Sequence, residues 1–190
     1  MKQRNKIIGM MLLAICFFLQ VAAQTNNQII EKNDTLQYVF KLHGQTRRYN
    51  VVIEQKEGAM CWQWSIVRNL NLHTGCIVTS PQGLSNGTML SFSQPNDGEQ
   101  LTLKENETFG CISQAAFQSL MTEKSFIYNH TTYRLQKVEG SFEFGGTHYP
   151  LLKVVADIDG TELWIAKNST LPLICKVSKS PLGIDWTINL

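Results

Sequence analysis

Two carboxylates of this chain, Asp157 and Asp159, are close enough in the sequence to act together in catalysis. They stand in the run Asp-Ile-Asp-Gly-Thr, directly after an apolar stretch. At the end of a parallel strand such a pair can hydrolyse a phosphate ester. A carboxylate can act as a nucleophile or as a general acid or base, and a pair of carboxylates can hold Mg²⁺ beside the phosphate. A metal-assisted phosphatase is therefore one hypothesis for this chain.

The surroundings of the two aspartates favour a purely structural interpretation. The run resembles the nucleophile loop of haloacid-dehalogenase-type phosphatases, and that resemblance implies a doubly wound α/β domain with further catalytic residues downstream. Only 29 residues follow Thr161, and they alternate as strands do. Apolar residues alternate over 152–156 and again over 163–165, on either side of Asp159-Gly160. This pattern predicts a β-hairpin with a two-residue turn of the primed type.

The cysteines are the next candidates for chemistry. No Cys-x-x-Cys pair occurs, so neither a zinc knuckle nor a thioredoxin-like redox site is indicated, and we predict no metal and no cofactor. Of the five cysteines, Cys16 lies within residues 1–23, and the other four allow three disulfide pairings, which the sequence leaves open. A free cysteine in an apolar strand is equally well explained as a small buried side chain. The four candidates are Cys61, Cys76, Cys111 and Cys175.

The first residues of the chain predict export. Lys2, Arg4 and Lys6 precede an apolar run that ends in small residues, which is the pattern of a secretory signal peptide over residues 1–23. We predict a flexible N-terminal tether over residues 24–34 and a single β-rich domain over residues 35–190. The expected location is the periplasm, the outer membrane surface or the cell exterior. No apolar run reaches the roughly 20 residues of a membrane-spanning helix.

The charge balance argues against nucleic acid as a partner. The chain has 17 basic and 15 acidic residues, but the predicted signal peptide holds three of the basic ones and none of the acidic ones. The remainder is therefore close to neutral. Proteins that bind nucleic acid carry a basic patch or stripe instead.

Period-two alternation of apolar residues dominates the rest of the chain and predicts strands. Turn formers such as Asn96-Asp97-Gly98 separate them. One segment, Gln114–Glu123, has helical spacing, with Ser113 as its N-cap. The sequence thus predicts a mainly β fold, a curled antiparallel meander that forms a half-barrel or a small barrel or sandwich, with one short α-helix. The predicted strands are LQYVFKLH, YNVVIEQ, CWQWSIV, CIVTS, MLSFS, QLTLK, TTYRLQKV, SFEF, HYPLLKVVADI, TELWIAK, LPLICKV and GIDWTINL.

The C-terminal quarter carries a resemblance to a known group. The stretch YPLLKVVADIDGTELWIAKNSTLPLICKV resembles the closing hairpins of periplasmic half-barrel proteins of the lipoprotein-carrier type. The segment LPLICKVSKSPLGIDW is similar to uncharacterised secreted β-rich proteins of Gram-negative bacteria. The resemblance implies a curled sheet, plugged by a helix, whose concave apolar surface accepts acyl chains.

These observations lead to an expected function and to its alternatives. We expect an exported, non-enzymatic envelope protein that binds an apolar or amphipathic ligand, such as a lipid, or a protein partner. The predicted ligand-binding residues are large apolar side chains of the concave side. If the same side chains instead fill a closed core, the protein would act through its surface, as an adhesion or assembly module. The predicted binding residues are Trp62, Trp64, Phe142, Phe144 and Trp164.

Overall fold

The structure is a computed structural model that describes residues 35–189. The predicted signal peptide at 1–23 and tether at 24–34 lie outside this range. The described residues form thirteen strands and two helices. The strands are β1 Thr35–Leu42, β2 Gln45–Lys56, β3 Ala59–Arg68, β4 Asn71–Thr79, β5 Met89–Leu90, β6 Gln100–Thr102, β7 Glu107–Thr108, β8 Ser125–Tyr128, β9 Thr131–Phe144, β10 Thr147–Ala156, β11 Glu162–Ala166, β12 Ile174–Ser178 and β13 Ile184–Asn189. The helices are α1 Pro81–Asn86 and α2 Gln114–Glu123.

Eleven of the strands form one sheet in the order β6-β4-β3-β2-β1-β13-β12-β11-β10-β9-β8. It consists of two antiparallel meanders, β1 to β4 and β8 to β13, which β1 and β13 join by pairing antiparallel. Strand β6 adds to β4 in parallel, and β5 pairs with β7 in a separate small sheet. Among the described residues β6 and β8 remain the two edges, so the sheet does not close. The predicted mainly β, curled antiparallel fold is confirmed, in its open form.

One predicted turn is absent from the structure. The sequence separates TTYRLQKV from SFEF at Glu139-Gly140, whereas the chain runs through both as the single strand β9. Gly140 keeps the positive φ of +78° that a turn residue would have. The pairing of β9 with β10 shifts register between Pro150 and Leu152. Gly140 therefore lies at an irregularity within a long strand. Alternation of apolar residues alone does not distinguish such an irregularity from a turn.

The predicted helix is confirmed, and a second helix was missed. Helix α2 has the predicted bounds, and the Ser113 side chain accepts a hydrogen bond from the Ala116 N–H at 3.3 Å. Helix α1 begins after Ser80, whose side chain accepts from the Gly83 N–H at 3.0 Å. It has six residues, which is too short to show a helical period. No described helix is long and apolar enough to cross a membrane.

The hairpin predicted around Asp159-Gly160 exists, but its turn is longer than predicted. Strands β10 and β11 pair antiparallel. The last bond of the ladder runs from the Ala156 N–H to the Thr161 carbonyl at 2.9 Å, so the loop holds the four residues 157–160. The Asp159 side chain accepts from the Thr161 N–H at 2.9 Å. This hydrogen bond from the side chain to the backbone stabilises a turn of four residues, instead of the predicted primed turn of two.

The concave side of the sheet is filled by the segment from Thr108 to Ser113, here named the crossing segment. Its Phe109 ring packs on Trp62, Tyr38 and Trp186 at centroid distances of 5.6, 6.5 and 6.5 Å. At Gly110 a Cβ atom would lie 2.8 Å from the Trp62 ring. Glycine is therefore required where the crossing segment meets the sheet.

Candidate functional site

An apolar cavity of about 110 Å³ lies between the sheet and the loop Phe92–Asp97, here named the covering loop. The cavity is lined mainly by aromatic and aliphatic side chains from β1 to β4, β13, the crossing segment and the covering loop. A cavity of comparable size, about 150 Å³ and lined by apolar side chains, accepts benzene in another protein. The lining residues are Phe40, Leu42, Tyr49, Val51, Trp62, Trp64, Ile77, Phe92, Ser93, Gln94, Pro95, Phe109, Ile184 and Trp186.

Strand alternation places the large side chains of the cavity on one face. Trp62 and Trp64 are two residues apart on β3, so they point to the same side. Their cross-strand partners on β2 are Ile53 and Val51. On the other side of the cavity Trp186 of β13 stands opposite Phe40 of β1. The cavity wall is thus built from residues whose positions follow directly from register.

The covering loop is fastened to the sheet at two points. Gln94 Nε2 donates a hydrogen bond of 2.6 Å to the Tyr49 hydroxyl. Farther along the loop, Asp97 Oδ1 accepts from the Thr74 N–H at 2.8 Å, and Asp97 Oδ2 lies 3.0 Å from His73 Nδ1. These bonds hold Phe92 and Pro95 against the cavity.

The Asp97 anchor is electrostatically favourable. The Thr74 N–H is the main cause that lowers the pKa of the Asp97 carboxyl below its usual value, and His73 lowers it further. Hydrogen bonds to the ionised form of a carboxyl stabilise that form. Asp97 is therefore ionised at neutral pH, when it bonds both groups.

Two polar groups of the cavity wall have no partner in the described part of the protein. Trp62 Nε1 and Trp64 Nε1 are buried and donate to no protein atom. By contrast, Trp186 Nε1 donates to the Ile174 carbonyl at 3.1 Å. A buried N–H without an acceptor costs about 1–3 kcal/mol. Both nitrogens are shielded from solvent, so a ligand would reach them only if the indoles moved.

A polar recess of about 260 Å³, here named the basic mouth, adjoins the cavity. The two spaces share Tyr49, Trp64, Gln94 and Pro95 in their walls. The basic mouth also holds two arginines and a histidine. Its further lining residues are Arg47, Ile66, Arg68, His73, Asn96 and Asp97.

The structure brings together two of the five predicted binding residues. Trp62 and Trp64 line the cavity. Phe142 and Phe144 are buried on β9, where their rings stack at a centroid distance of 6.3 Å, and they do not line it. Their alternation resembles that of the two tryptophans, but β9 lies seven strands away from β3 in the sheet.

Trp164 lies on the outer face of the sheet. Its neighbours Leu163 and Ile165 belong to the hydrophobic core, so the side chain between them points the other way. Lys153 and Lys176 cover its ring with ammonium nitrogens 4.8 and 4.2 Å from the ring centroid. These cation–π contacts leave the indole only 8 % exposed, so no flat aromatic surface is presented.

The four cysteines divide into one disulfide and two buried thiols. Cys61 on β3 and Cys76 on β4 are bonded, which confirms that a disulfide forms, but none of the three complete pairings is made. Cys111 and Cys175 are free and buried, and burial raises the pKa of each thiol to about 12. They are protonated at neutral pH and pack as apolar side chains, because only the thiolate is nucleophilic.

The two aspartates of the hairpin have structural partners. The Arg134 guanidinium binds both carboxylate oxygens of Asp157 at 3.1 and 3.0 Å, and Asp159 bonds the Thr161 backbone. Strand β10 is antiparallel to both of its neighbours, β9 and β11. The parallel strand end that a dehalogenase-type site requires is absent there. Within residues 35–189 no group of three or more His, Cys, Asp or Glu side chains could hold a metal ion.

Sequence reasoning missed the basic residues beside the cavity. A signal for them exists, because β2, β3 and β4 each change from apolar to basic along one face. On β2 this face carries Val51, Tyr49 and Arg47, and on β3 it carries Trp62, Trp64, Ile66 and Arg68. On β4 it carries Ile77, Gly75 and His73. Hairpin pairing then places the three basic ends together. The start of the covering loop was wrongly predicted as the end of the strand MLSFS, since Phe92 continues its alternation, whereas β5 ends at Leu90.

Fold and site together describe an open, curled antiparallel sheet with an aromatic cavity on its concave side. Neither models of known protein families nor the curated proteins nor the solved structures give a match to this chain.

Proposed function

We propose that this protein is an exported, non-enzymatic binding protein of the cell envelope whose ligand is apolar or amphipathic. The observation that carries the proposal is the apolar cavity beneath the covering loop, walled by Trp62, Trp64 and Trp186. Ligand sites are typically concave and apolar, with a few polar groups that orient the ligand. The Cys61–Cys76 disulfide supports export, because disulfides persist in oxidising compartments.

The phosphatase alternative lacks comparable support. Asp157 is paired with Arg134 and Asp159 shapes the turn, so neither carboxylate is available without breaking a structural contact. Surface adhesion or assembly as the main role finds support in no specific site of the described residues.

The first test is native mass spectrometry of the exported protein, purified without detergent. We expect a fraction of the molecules to carry an apolar or amphipathic adduct. The second test is a titration with benzene, whose size suits the cavity, followed by thermal unfolding. A ligand that binds only the folded state raises the unfolding temperature.

A cavity-filling variant locates the binding. In Val51→Phe the larger side chain enters the cavity, so we expect the benzene-dependent rise in unfolding temperature to disappear. Val52→Phe is the matched control, because Val52 is the next residue along β2 and points to the other face. A benzene effect that persists in Val51→Phe, or no effect in the wild type, would contradict the proposal.

A further inference from the structure

The charges of the basic mouth indicate which chemical group the ligand presents there, a property that the apolar cavity does not reveal. This inference rests on the proposed function.

Two arginines of the basic mouth have no carboxylate partner within residues 35–189. Arg47 is half-buried, and its one side-chain contact is a bond of 3.5 Å from Nη2 to the Gln45 side chain. Arg68 is exposed, lines the same recess and takes part in no ion pair of the described residues. A guanidinium can form paired hydrogen bonds with an anion, and these are strongest for a partly buried one such as Arg47.

The carboxylates near the basic mouth are already engaged. Asp97 bonds the Thr74 N–H and faces His73. Glu99 accepts hydrogen bonds from the backbone and side chain of Asn96, both at 2.8 Å, and does not line the recess. The two arginines therefore leave an excess of positive charge in a recess that shares wall residues with the apolar cavity.

The size of the cavity limits the apolar part of the ligand. A volume of about 110 Å³ accepts a group of the size of one aromatic ring or a short alkyl chain. The paired acyl chains of a phospholipid exceed it.

We propose that the ligand is a small single-chain amphiphile with one anionic head group, whose apolar part enters the cavity and whose carboxylate or phosphate binds Arg47 and Arg68. Tyr49 and Trp64 line both spaces, so a ligand that occupies both would contact these two side chains.

The test compares four probes with the same short chain and different heads: hexanoate, hexyl phosphate, hexanol and hexylammonium. Affinities are measured by isothermal titration calorimetry at low salt. We expect at least one of the two anionic probes to bind about tenfold more tightly than hexanol, because hydrogen bonds to charged groups are stronger than neutral ones. Comparison of hexanoate with hexyl phosphate identifies the preferred anion. We expect hexylammonium to bind more weakly than hexanol.

Matched arginine variants locate the head group. Arg47→Met keeps most of the aliphatic stem and removes the charge, so we expect about a tenfold loss for the preferred anionic probe and no change for hexanol. Arg48→Met is the control, because Arg48 adjoins Arg47 on β2 and points to the opposite face. Both substitutions change the net charge by the same amount. We expect it to have little effect. Arg68→Met is expected to act as Arg47→Met does.

The outcomes separate this inference from the function on which it rests. If hexanol binds as tightly as both anions, or if Arg48→Met weakens anion binding as much as Arg47→Met, the anionic head group is refuted while the binding function stands. If no probe binds the wild type, or if each binds Val51→Phe equally well, the binding function itself fails.

Discussion

Gly75 is the residue on which the position of the Trp64 indole depends. It stands opposite Trp64 in the β3–β4 ladder, and a Cβ atom built on it would lie 2.6 Å from Trp64 Cζ2. Gly75→Ala therefore forces the indole to move into the cavity or out of it. We expect a loss of about 1–3 kcal/mol in the free energy of unfolding, as for other overpacked sites. Urea unfolding measures this loss, and tryptophan emission reports the displacement.

Gly146→Ala is the control for this prediction. Gly146 has a φ of +68° and no atom within 4 Å of its Cβ position, so alanine there meets backbone strain alone. We expect a loss of stability without a change in tryptophan emission. An unchanged emission spectrum in Gly75→Ala would show that the indole does not lie over this glycine.

At the scale of elements, the covering loop depends on the ionisation of Asp97. Its pKa lies below the usual value of 3.8, chiefly because of the Thr74 N–H. A carboxyl whose pKa is lower in the folded state adds stability above its unfolded pKa, and this stability is lost as the pH falls through the folded pKa. Asp97→Asn keeps an oxygen acceptor but does not titrate. We expect the stability advantage of the wild type over Asp97→Asn to be full at neutral pH and to shrink as the pH falls below the usual aspartate pKa and through the lower folded-state pKa.

Urea unfolding of both proteins over this pH range measures the effect. Ser93→Ala, a change in the same loop that removes no titrating group, serves as the control and should differ from the wild type by an amount independent of pH. A difference between the wild type and Asp97→Asn that does not vary with pH would contradict the role of the ionised Asp97.

At the scale of the whole molecule, the disulfide limits the freedom of the unfolded chain. Cys61 and Cys76 are 15 residues apart. Closing a loop of this length removes unfolded-state entropy equivalent to about 3 kcal/mol. We expect a reductant to lower the free energy of unfolding by about this amount, as measured by urea unfolding.

Two variants test whether that loss comes from this bond. A double Cys61→Ala and Cys76→Ala variant should be less stable and insensitive to reductant. Cys111→Ala removes a free buried thiol, so it should remain sensitive to reductant as the wild type is. A wild type whose stability does not change on reduction would argue against the Cys61–Cys76 bond.

Helices and strands that have a clear local pattern could be predicted from the sequence. Alternation predicted most of the strands, and helical spacing with the Ser113 cap predicted α2 with its observed bounds. Elements without such a pattern were missed or misjudged. Helix α1 is too short to show a period, and the β3–β4 turn is formed by Asn69 and Leu70 with φ of +50° and +65°. Leucine is a rare residue in that conformation, so it does not signal a turn.

Which of the alternating residues share a site depends on how the strands pair and which face of the sheet is concave. Trp62 and Trp164 both stand in alternating strands, yet one faces the cavity and the other lies beneath two lysines on the outer face. Both faces of β11 are buried, so alternation could not show which face was the concave one. Cys61 likewise met Cys76 because the β3–β4 register placed them together. Hydrophobic periodicity and helix capping depend on residues a few positions apart, so the sequence shows them directly. The cavity, the disulfide and the basic mouth depend on contacts between segments that are far apart in the sequence, and local patterns do not show these contacts.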